Sequence, residues 1–319
     1  MDRNFFRRIA SPTVAEGLVR VGLESLLALH EASRALSLQP RQVRAWAPGG
    51  HRSVFKGRGM EFDEVRPYIA GDDVRSIDWR VMARTGRPHT KIYREERERA
   101  VVLWIDLRPT MFFATRGAFK AVRAAQAASL LGWSALRQGD RLGALLFDGE
   151  RHVEIRPRRG RAAVVHLLGQ LAAHPSWHTR RASDERASLD AMNQALARLD
   201  RVVQPGSLIV LLTDLSVLAG EGSTHLAQLS RHNEILLVQI HDPLDAELPP
   251  PGSYRVSDGN RFVALETGDA RRRERYRQQH AERQEALKAL CRRYPITWVP
   301  MATAEDPLAA LQRVLGGRS

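Results

Sequence analysis

The sequence predicts an α/β fold: a doubly wound, mostly parallel sheet of the Rossmann type, preceded by an N-terminal helix and a small loop- and β-rich element. Three observations predict it. Beyond Arg99, apolar runs of strand length alternate with stretches of helical periodicity, among them residues 100–107 (AVVLWIDL), 141–147 (RLGALLF), 207–213 (SLIVLLT) and 234–240 (EILLVQI). Those runs are apolar at nearly every position rather than at every second one, the pattern of strands covered on both faces. With 319 residues, 43% of them hydrophobic, the chain can bury a sizeable core, which excludes disorder over most of its length and fits one large domain with an appendage.

The elements follow in order. Within a first segment, residues 1–38, apolar positions at Val14, Leu18, Val21, Leu29 and Leu36 alternate with Glu16, Glu24, Glu31 and Arg34, predicting an amphipathic helix over 13–38, bent near Gly22. Its polar face is not Lys/Arg-rich, so packing on its own domain is favoured over lying on a membrane. Residues 39–98 change texture to Gly, Pro, Arg and Asp, with short β pieces at 61–69 and 90–94. The sheet domain, 99–319, adds a strand at 152–156, paired with 141–147 through Asp148-Gly149-Glu150, and helices at 116–137, 161–173, 189–203 and 224–231. After Pro249-Pro250-Pro251-Gly252 come a hairpin (253–256 and 261–266), a long charged helix (269–293), a strand (295–299) and a last helix (307–315).

Composition narrows the function. There are 49 Lys+Arg against 36 Asp+Glu, yet only Lys56, Lys91, Lys120 and Lys288 are lysines, and none follows a glycine, so a Walker P-loop is excluded. The single cysteine, Cys291, cannot form an intrachain disulfide, and the polar start Met1-Asp2-Arg3-Asn4 carries no signal peptide, so a cytoplasmic location is expected. The apolar runs fall far short of the roughly 20 residues a membrane helix needs, so no integral membrane segment is expected. Arginines cluster at Arg156, Arg158, Arg159 and Arg161, and at Arg271, Arg272, Arg273, Arg275 and Arg277. The second cluster runs on into Glu274, Glu282 and Glu285 at helical spacing, the mark of a solvated face. Neither cluster interleaves aromatic residues for base stacking, which argues against nucleic acid as a partner.

Ligands of a doubly wound sheet bind beyond the carboxyl ends of its strands. Two core strands end on acids, Asp106 and Asp214, and Ser188, at a helix start, can approach the same edge. One such acid would be read as a helix cap; two on adjacent strands point to a shared site.

An ordered run of residues precedes the Asp106 strand. Gly57-Arg58-Gly59-Met60-Glu61-Phe62, Glu64-Val65-Arg66-Pro67-Tyr68, Gly71-Asp72-Asp73-Val74-Arg75-Ser76-Ile77-Asp78-Trp79, Ala83-Arg84 and Arg94-Glu95-Glu96 together resemble the signature of the domain-of-unknown-function 58 family. The resemblance implies a von Willebrand factor type A-like domain, commonly encoded beside MoxR-type AAA+ ATPases and thought to act with them in assembling or maturing other proteins. Many relatives carry membrane helices in front; this chain resembles the soluble kind. Von Willebrand factor A domains bind a divalent cation through Asp-x-Ser-x-Ser after the first strand, with a Thr and an Asp from later loops. Carried over, Asp106 matches the first Asp, Thr110 the second Ser, Ser188 the Thr and Asp214 the later Asp.

Arg108 occupies the first Ser position. A guanidinium has no lone pair to give and is always charged. At about 4 Å and an effective dielectric near 20, each unit of metal charge repels it by roughly 4 kcal/mol before screening. Binding of Mg²⁺ is therefore expected to be weakened, with Arg108 replacing the cation, paired to Asp106 or Asp214, in a degenerate metal-ion-dependent adhesion site. The alternative is that Arg108 points to solvent and Mg²⁺ still binds through Asp106, Thr110, Ser188 and Asp214.

Within the signature, Glu61, Arg66, Asp72, Asp73, Arg75, Asp78 and Arg84 form a dense set of opposite charges around Trp79. A structural network anchored by Trp79 is the preferred reading, because buried charges need partners; a docking surface is the alternative. The enzymatic rival is a haloacid-dehalogenase-like, metal-dependent phosphatase, for which Asp106, Thr110 and Thr213 fit superficially. Its general-acid Asp is again Arg108, and Lys288 is the only lysine downstream of Thr213. His174 and His178 are spaced like metal ligands, but Pro175 lies between them. Cys291 reads as a packing residue, His241-Asp242-Pro243 as a turn, and no Gly-x-Ser-x-Gly elbow is present. The chain therefore reads as a non-enzymatic interaction module or adaptor with no cofactor, its partners a MoxR-type AAA+ ATPase and a client protein. A homodimeric scaffold built on helix 269–293 is the alternative; the client and the oligomeric state are left open.

Overall fold

A computed structural model describes residues 17–38, 60–69, 77–95, 99–178, 185–214, 221–257 and 262–316. The chain divides into two compact units, Met1–Gln39 together with Arg99–Ser319, and Pro40–Glu98.

The N-terminal segment is helical but not one bent helix. Gly22 is extended and precedes a short α1 (Leu23–Leu27), followed by two 3-10 turns, Ala28–His30 and Ala32–Ala35. Regular α-helix stops because later side chains take its carbonyls. Ser129 Oγ donates to Leu26 O (2.6 Å), Ser134 Oγ to Leu36 O (3.1 Å), and the Arg137 guanidinium to Ser33 O and Leu36 O. Oxygens bonded this way no longer need an N–H four residues on. Leu26, Leu36 and Leu38 are buried in the main core.

In the smaller unit, β1 (Met60–Pro67) pairs antiparallel with β2 (His89–Glu95), with a register shift between Phe62 and Glu64. Between them lies α2 (Trp79–Thr85), where a loop network anchored by Trp79 was expected. The Asp78 carboxylate accepts from the N–H groups of Arg80 and Val81, an N-cap that starts a helix there. Val81 and Met82 carry its half-buried face, and the helical turn swings Trp79 off that face, leaving it 63% exposed. Arg84 is exposed. Glu61 and Arg66 lie on β1, whereas Asp72, Asp73 and Arg75 fall outside the described residues.

The larger unit alternates as its apolar runs require: β3 (Ala100–Asp106), α3 (Lys120–Arg137), β4 (Arg141–Phe147), β5 (His152–Arg158), α4 (Arg161–Ala172), α5 (Glu185–Val202), β6 (Leu208–Thr213), α6 (Glu221–Leu229), β7 (Glu234–His241) and α7 (Pro243–Ala246). A hairpin of β8 (Ser253–Ser257) and β9 (Phe262–Glu266), then α8 (Ala270–Arg293), β10 (Ile296–Ala302) and α9 (Pro307–Leu315) complete it. The six-stranded sheet has the order β10-β7-β6-β3-β4-β5, parallel except for β5, which returns antiparallel to β4. This is the doubly wound, mostly parallel arrangement expected, with the order reversing at β3.

Successive residues of a strand face opposite ways, and β3 divides accordingly. Val101, Leu103 and Ile105 join a core with α3, α4, α9 and the N-terminal segment, while Val102 and Trp104 join a second core with α5, α6 and α8. Helix α3 begins at Lys120 rather than 116. Gly117 adopts φ +74° with no room for a Cβ against the Thr303 carbonyl, so the chain here is fitted to the β10 end instead of to a helix. Among the described residues, no helix is long and apolar enough to cross a membrane.

Candidate functional site

Because β3 and β6 are neighbours at the centre of the sheet, Asp106 and Asp214 emerge side by side at its carboxyl edge. Asp106 and Arg108 are fully buried, and the Asp214 side chain is 2% exposed. The Arg108 side chain folds back over the end of its own strand. Its Nε donates to Asp106 Oδ1 and Oδ2 (3.0 and 3.1 Å), its Nη2 to Asp106 Oδ2 (2.6 Å) and Asp214 Oδ1 (3.2 Å), and its Nη1 to Ser188 O and Oγ (3.0 and 2.9 Å). Ser188 comes from the first turn of α5, on the opposite side of the guanidinium from Asp106. Thr213 Oγ1 donates to Asp106 Oδ2 (2.7 Å), and the Arg108 backbone N–H to Asp106 Oδ1 (2.9 Å).

One planar cation thus bridges two carboxylates and a hydroxyl with its fork of donors. Burial by itself would lower its proton affinity. The Asp106 charge and hydrogen bond, together with the Asp214 charge, outweigh that and raise the Arg108 pKa above its ordinary value. Lys120, the first residue of α3 and itself buried, places Nζ 3.8 Å from Asp214 Oδ2 and 2.7 Å from Asp245 Oδ2. Asp106 and Asp214 therefore face two cations, Arg108 and Lys120, the second of them shared with Asp245.

The structure sets Thr110 apart from this group: it is exposed on the 3-10 turn Pro109–Met111. His174 is buried and accepts the Ser176 N–H, while His178 is exposed, so the two do not act as a pair. Cys291 is half-buried against the second core, and burial pushes its thiol up to about 11. Among the described residues, no group of three or more His, Cys, Asp or Glu side chains is arranged to hold a metal ion. The oxygens of Asp106 that a cation would need already face N–H and O–H donors.

Reading residue by residue missed Lys120, Thr213 and Asp245 as members of this cluster. Lys120 carried one signal, a cation at a helix N-terminus, where the helix dipole disfavours it. Also missed was a second cluster on the same edge. Asp242, read as part of a turn, is fully buried and caps α7. It accepts from Thr115 N–H (2.8 Å) and Oγ1 (2.6 Å), Thr303 Oγ1 (2.8 Å) and Leu244 N–H (3.0 Å). Asp245 Oδ2 accepts in return from the Asp242 N–H (2.8 Å), a capping box. Burial alone would raise the Asp242 pKa; the hydrogen bonds from Thr115, Leu244 and Thr303 outweigh it and hold the carboxyl below its ordinary range. The signal was in the sequence: Asp-Pro with a second Asp three residues on. Asp242 ties together the loops that follow β3, β7 and β10.

Comparison with known proteins places the chain. The family model for the protein of unknown function DUF58 matches residues 64–286. Two relatives, the uncharacterized proteins Rv1480 of Mycobacterium tuberculosis and Mb1516 of Mycobacterium bovis, are each 29% identical over 239 residues, 75% of this chain and 73% of theirs. Similar solved structures include an aerotolerance-related membrane protein from Bacteroides fragilis (13% identity, TM-score 0.43, 68% of this chain and 96% of that one). BatB from Bacteroides thetaiotaomicron is 16% identical with a TM-score of 0.39, over 66% and 93%. A von Willebrand factor type A protein from Catenulispora acidiphila is 14% identical with a TM-score of 0.38, over 71% and 42%. The signature before β3 and the family match over most of the chain agree: this protein belongs to the DUF58 family.

Proposed function

We propose that the chain is a non-enzymatic protein–protein interaction module whose sheet-end loops grip another polypeptide without a resident metal ion. The observation that carries the reading is the position of Arg108, fully buried and bonded to Asp106, Asp214 and Ser188. In the von Willebrand factor A pattern those three positions belong to a cation. Here a guanidinium takes its place as a degenerate adhesion site, with Lys120 beside it, shared between Asp214 and Asp245. A dication entering it would meet an inward-facing Arg108 at a cost of roughly 4 kcal/mol per unit of charge, and would find both Asp106 oxygens committed to other donors.

The same geometry argues against a phosphatase. Asp106, the nucleophile such an enzyme would need, is enclosed and bonded on both oxygens. A scaffold dimerised through α8 gains no support either, because that helix carries nine basic residues against three acidic ones and would repel a second copy. In the proposal the partner is a MoxR-type AAA+ ATPase, as the family resemblance implies. It supplies the energy of ATP hydrolysis in the cytoplasm, while this chain presents a client protein for assembly or maturation.

Three measurements on the full chain test this. Titration calorimetry with MgCl₂ and MnCl₂ is expected to show no binding; micromolar affinity lost in Asp106→Ala would overturn the metal-free site. Light scattering after size exclusion with a purified MoxR-type ATPase from the same organism is expected to show a complex, and its absence would remove that partner. Turnover of p-nitrophenyl phosphate that depends on Asp106 would overturn the non-enzymatic reading.

A further inference from the structure

The loops tied together by Asp242 also wall a groove that the buried cluster does not use. It lies between the loop carrying Thr115 and Arg116 and residues 243–250, with Arg273 of α8 lining it as well, and its volume is about 440 Å³. That is within the range of sites that hold a drug-sized ligand or a few side chains, roughly 300–1,000 Å³.

The walls are fixed before anything binds. Thr115 is held by Asp242 through both its N–H and its hydroxyl. The Leu244 carbonyl accepts from Tyr276 OH (2.9 Å), and the Pro250 carbonyl from Tyr254 OH and Thr267 Oγ1 (3.0 and 2.7 Å). The prolines at 243, 249 and 250 have restricted backbones of their own. A groove built this way loses little conformational freedom on binding.

Its chemistry is two-sided. Leu244, Leu248 and Pro249 offer apolar surface, while Arg116 and Arg273 offer positive charge. Among the described residues Arg116 has no carboxylate partner. Arg273 is three-quarters buried, yet its nearest carboxylate, Glu247, stands 3.8 Å away, and its Nε is buried with no hydrogen-bond partner among the described residues. A guanidinium held this loosely, and a quarter exposed, has donors to spare for a carboxylate, which a guanidinium can take up through two parallel bonds.

We propose that this groove binds a short segment of a partner protein in which an Asp or Glu stands beside an apolar residue. The carboxylate meets Arg116 and Arg273, and the apolar side chain rests on Leu244, Leu248 and Pro249. A nucleotide fits poorly, because no aromatic ring lines the groove to stack a base. A free phosphate, more highly charged than a carboxylate, would gain nothing from the apolar wall and would meet Glu247 at its edge. The inference rests on the interaction-module reading and adds to it the chemistry of the segment gripped.

The test is fluorescence polarisation on the full chain with labelled pentapeptides carrying Asp or Glu at the centre and Leu, Val or Phe on either side, each matched by its Asn or Gln counterpart. At least one acidic peptide is expected to bind about tenfold or more tightly than its amide match. Arg116→Glu and Arg273→Glu are each expected to abolish that preference with the urea midpoint little changed. Should Arg273→Glu fail to fold, Arg273→Gln and Arg116→Glu decide the matter. Equal binding of acidic and amide peptides, no binding by any peptide, binding indifferent to both substitutions, or displacement by inorganic phosphate at equal concentration would overturn the proposal. If the complex with the ATPase forms while the peptides fail to bind, this groove is refuted and the module reading stands. If peptides bind but no complex forms, that partner falls and the groove stands.

Discussion

The carboxyl ends of β3 and β7 each bury an aspartate completely, and they keep it in opposite ways. Asp106 is held by a buried cation, Arg108, which also reaches Asp214, with Lys120 beyond it. Asp242 is held by uncharged donors, two threonine hydroxyls and two backbone N–H groups. The first arrangement takes several charges out of water, and each depends on the others; removing one strands the rest. The second takes one charge out of water and surrounds it with dipoles that stay polar whatever the pH. The β3 end is thus built as a unit that cannot lose a member, whereas the β7 end is a clasp whose strength depends on the charge of a single carboxyl.

Arg108→Met should be the sharpest break between the two. It leaves Asp106 and Asp214 buried without their main partner, so urea unfolding is expected to report a loss of about 3–5 kcal/mol. Adding Asp106→Asn should restore part of it, because the stranded charge is then gone. A loss below about 1 kcal/mol in the single variant would mean that Arg108 is not what compensates the two acids.

Asp242→Ala is expected to cost about 1.5–3 kcal/mol, the range for hydrogen bonds to a charged group. Acid titration separates this clasp from the β3 end. The Asp242 pKa is lowered in the folded state, so its contribution is complete above its ordinary value of 3.8 and is lost as pH falls through the lower, folded value. In Asp242→Asn that final acid limb should flatten, followed by circular dichroism below pH 4.

A smaller effect belongs to His174, buried beside the loop after α4. Burial, with Arg151 adding to it and Asp148 opposing, holds its imidazole below the ordinary 6.5. Protonation is therefore disfavoured in the fold, and stability should begin to fall as pH drops below 6.5 toward the folded value. His174→Asn should remove that shoulder without touching the Asp242 limb.

The smallest change is expected where charge is plentiful and solvent-exposed. Glu274 and Arg277 pair along α8 with both side chains mostly exposed, and Arg277→Ala should shift stability by less than about 0.5 kcal/mol. A larger loss would show that α8 is held by its charges rather than by the stripe around Leu287.

Much of this architecture is legible in the sequence because it is written in local terms. The strand at 141–147 and the helix at 307–315 match their expected limits to the residue, since apolar runs and an Asp-Pro helix start are local signals. Less legible were the elements whose backbone answers to distant groups. The N-terminal helix breaks into short turns because donors a hundred residues later claim its carbonyls. Helix α3 starts late because Gly117 is fitted against Thr303, and Trp79 turns outward because Asp78 starts a helix beneath it.

By itself, the sequence determined which strands form the sheet, that Asp106 and Asp214 end two of them, and that an arginine stands where an oxygen ligand would be expected. Those facts follow from residue type and spacing along one strand. Only the tertiary structure decided that Arg108 turns inward, that Lys120 and Thr213 join it, and that Thr110 does not. Nor could the sequence reveal Asp242 clasping three loops beside a groove lined by Arg116 and Arg273. The direction of a side chain and the partners of a buried charge are settled by what the rest of the chain brings within 3 Å, and no local pattern encodes that.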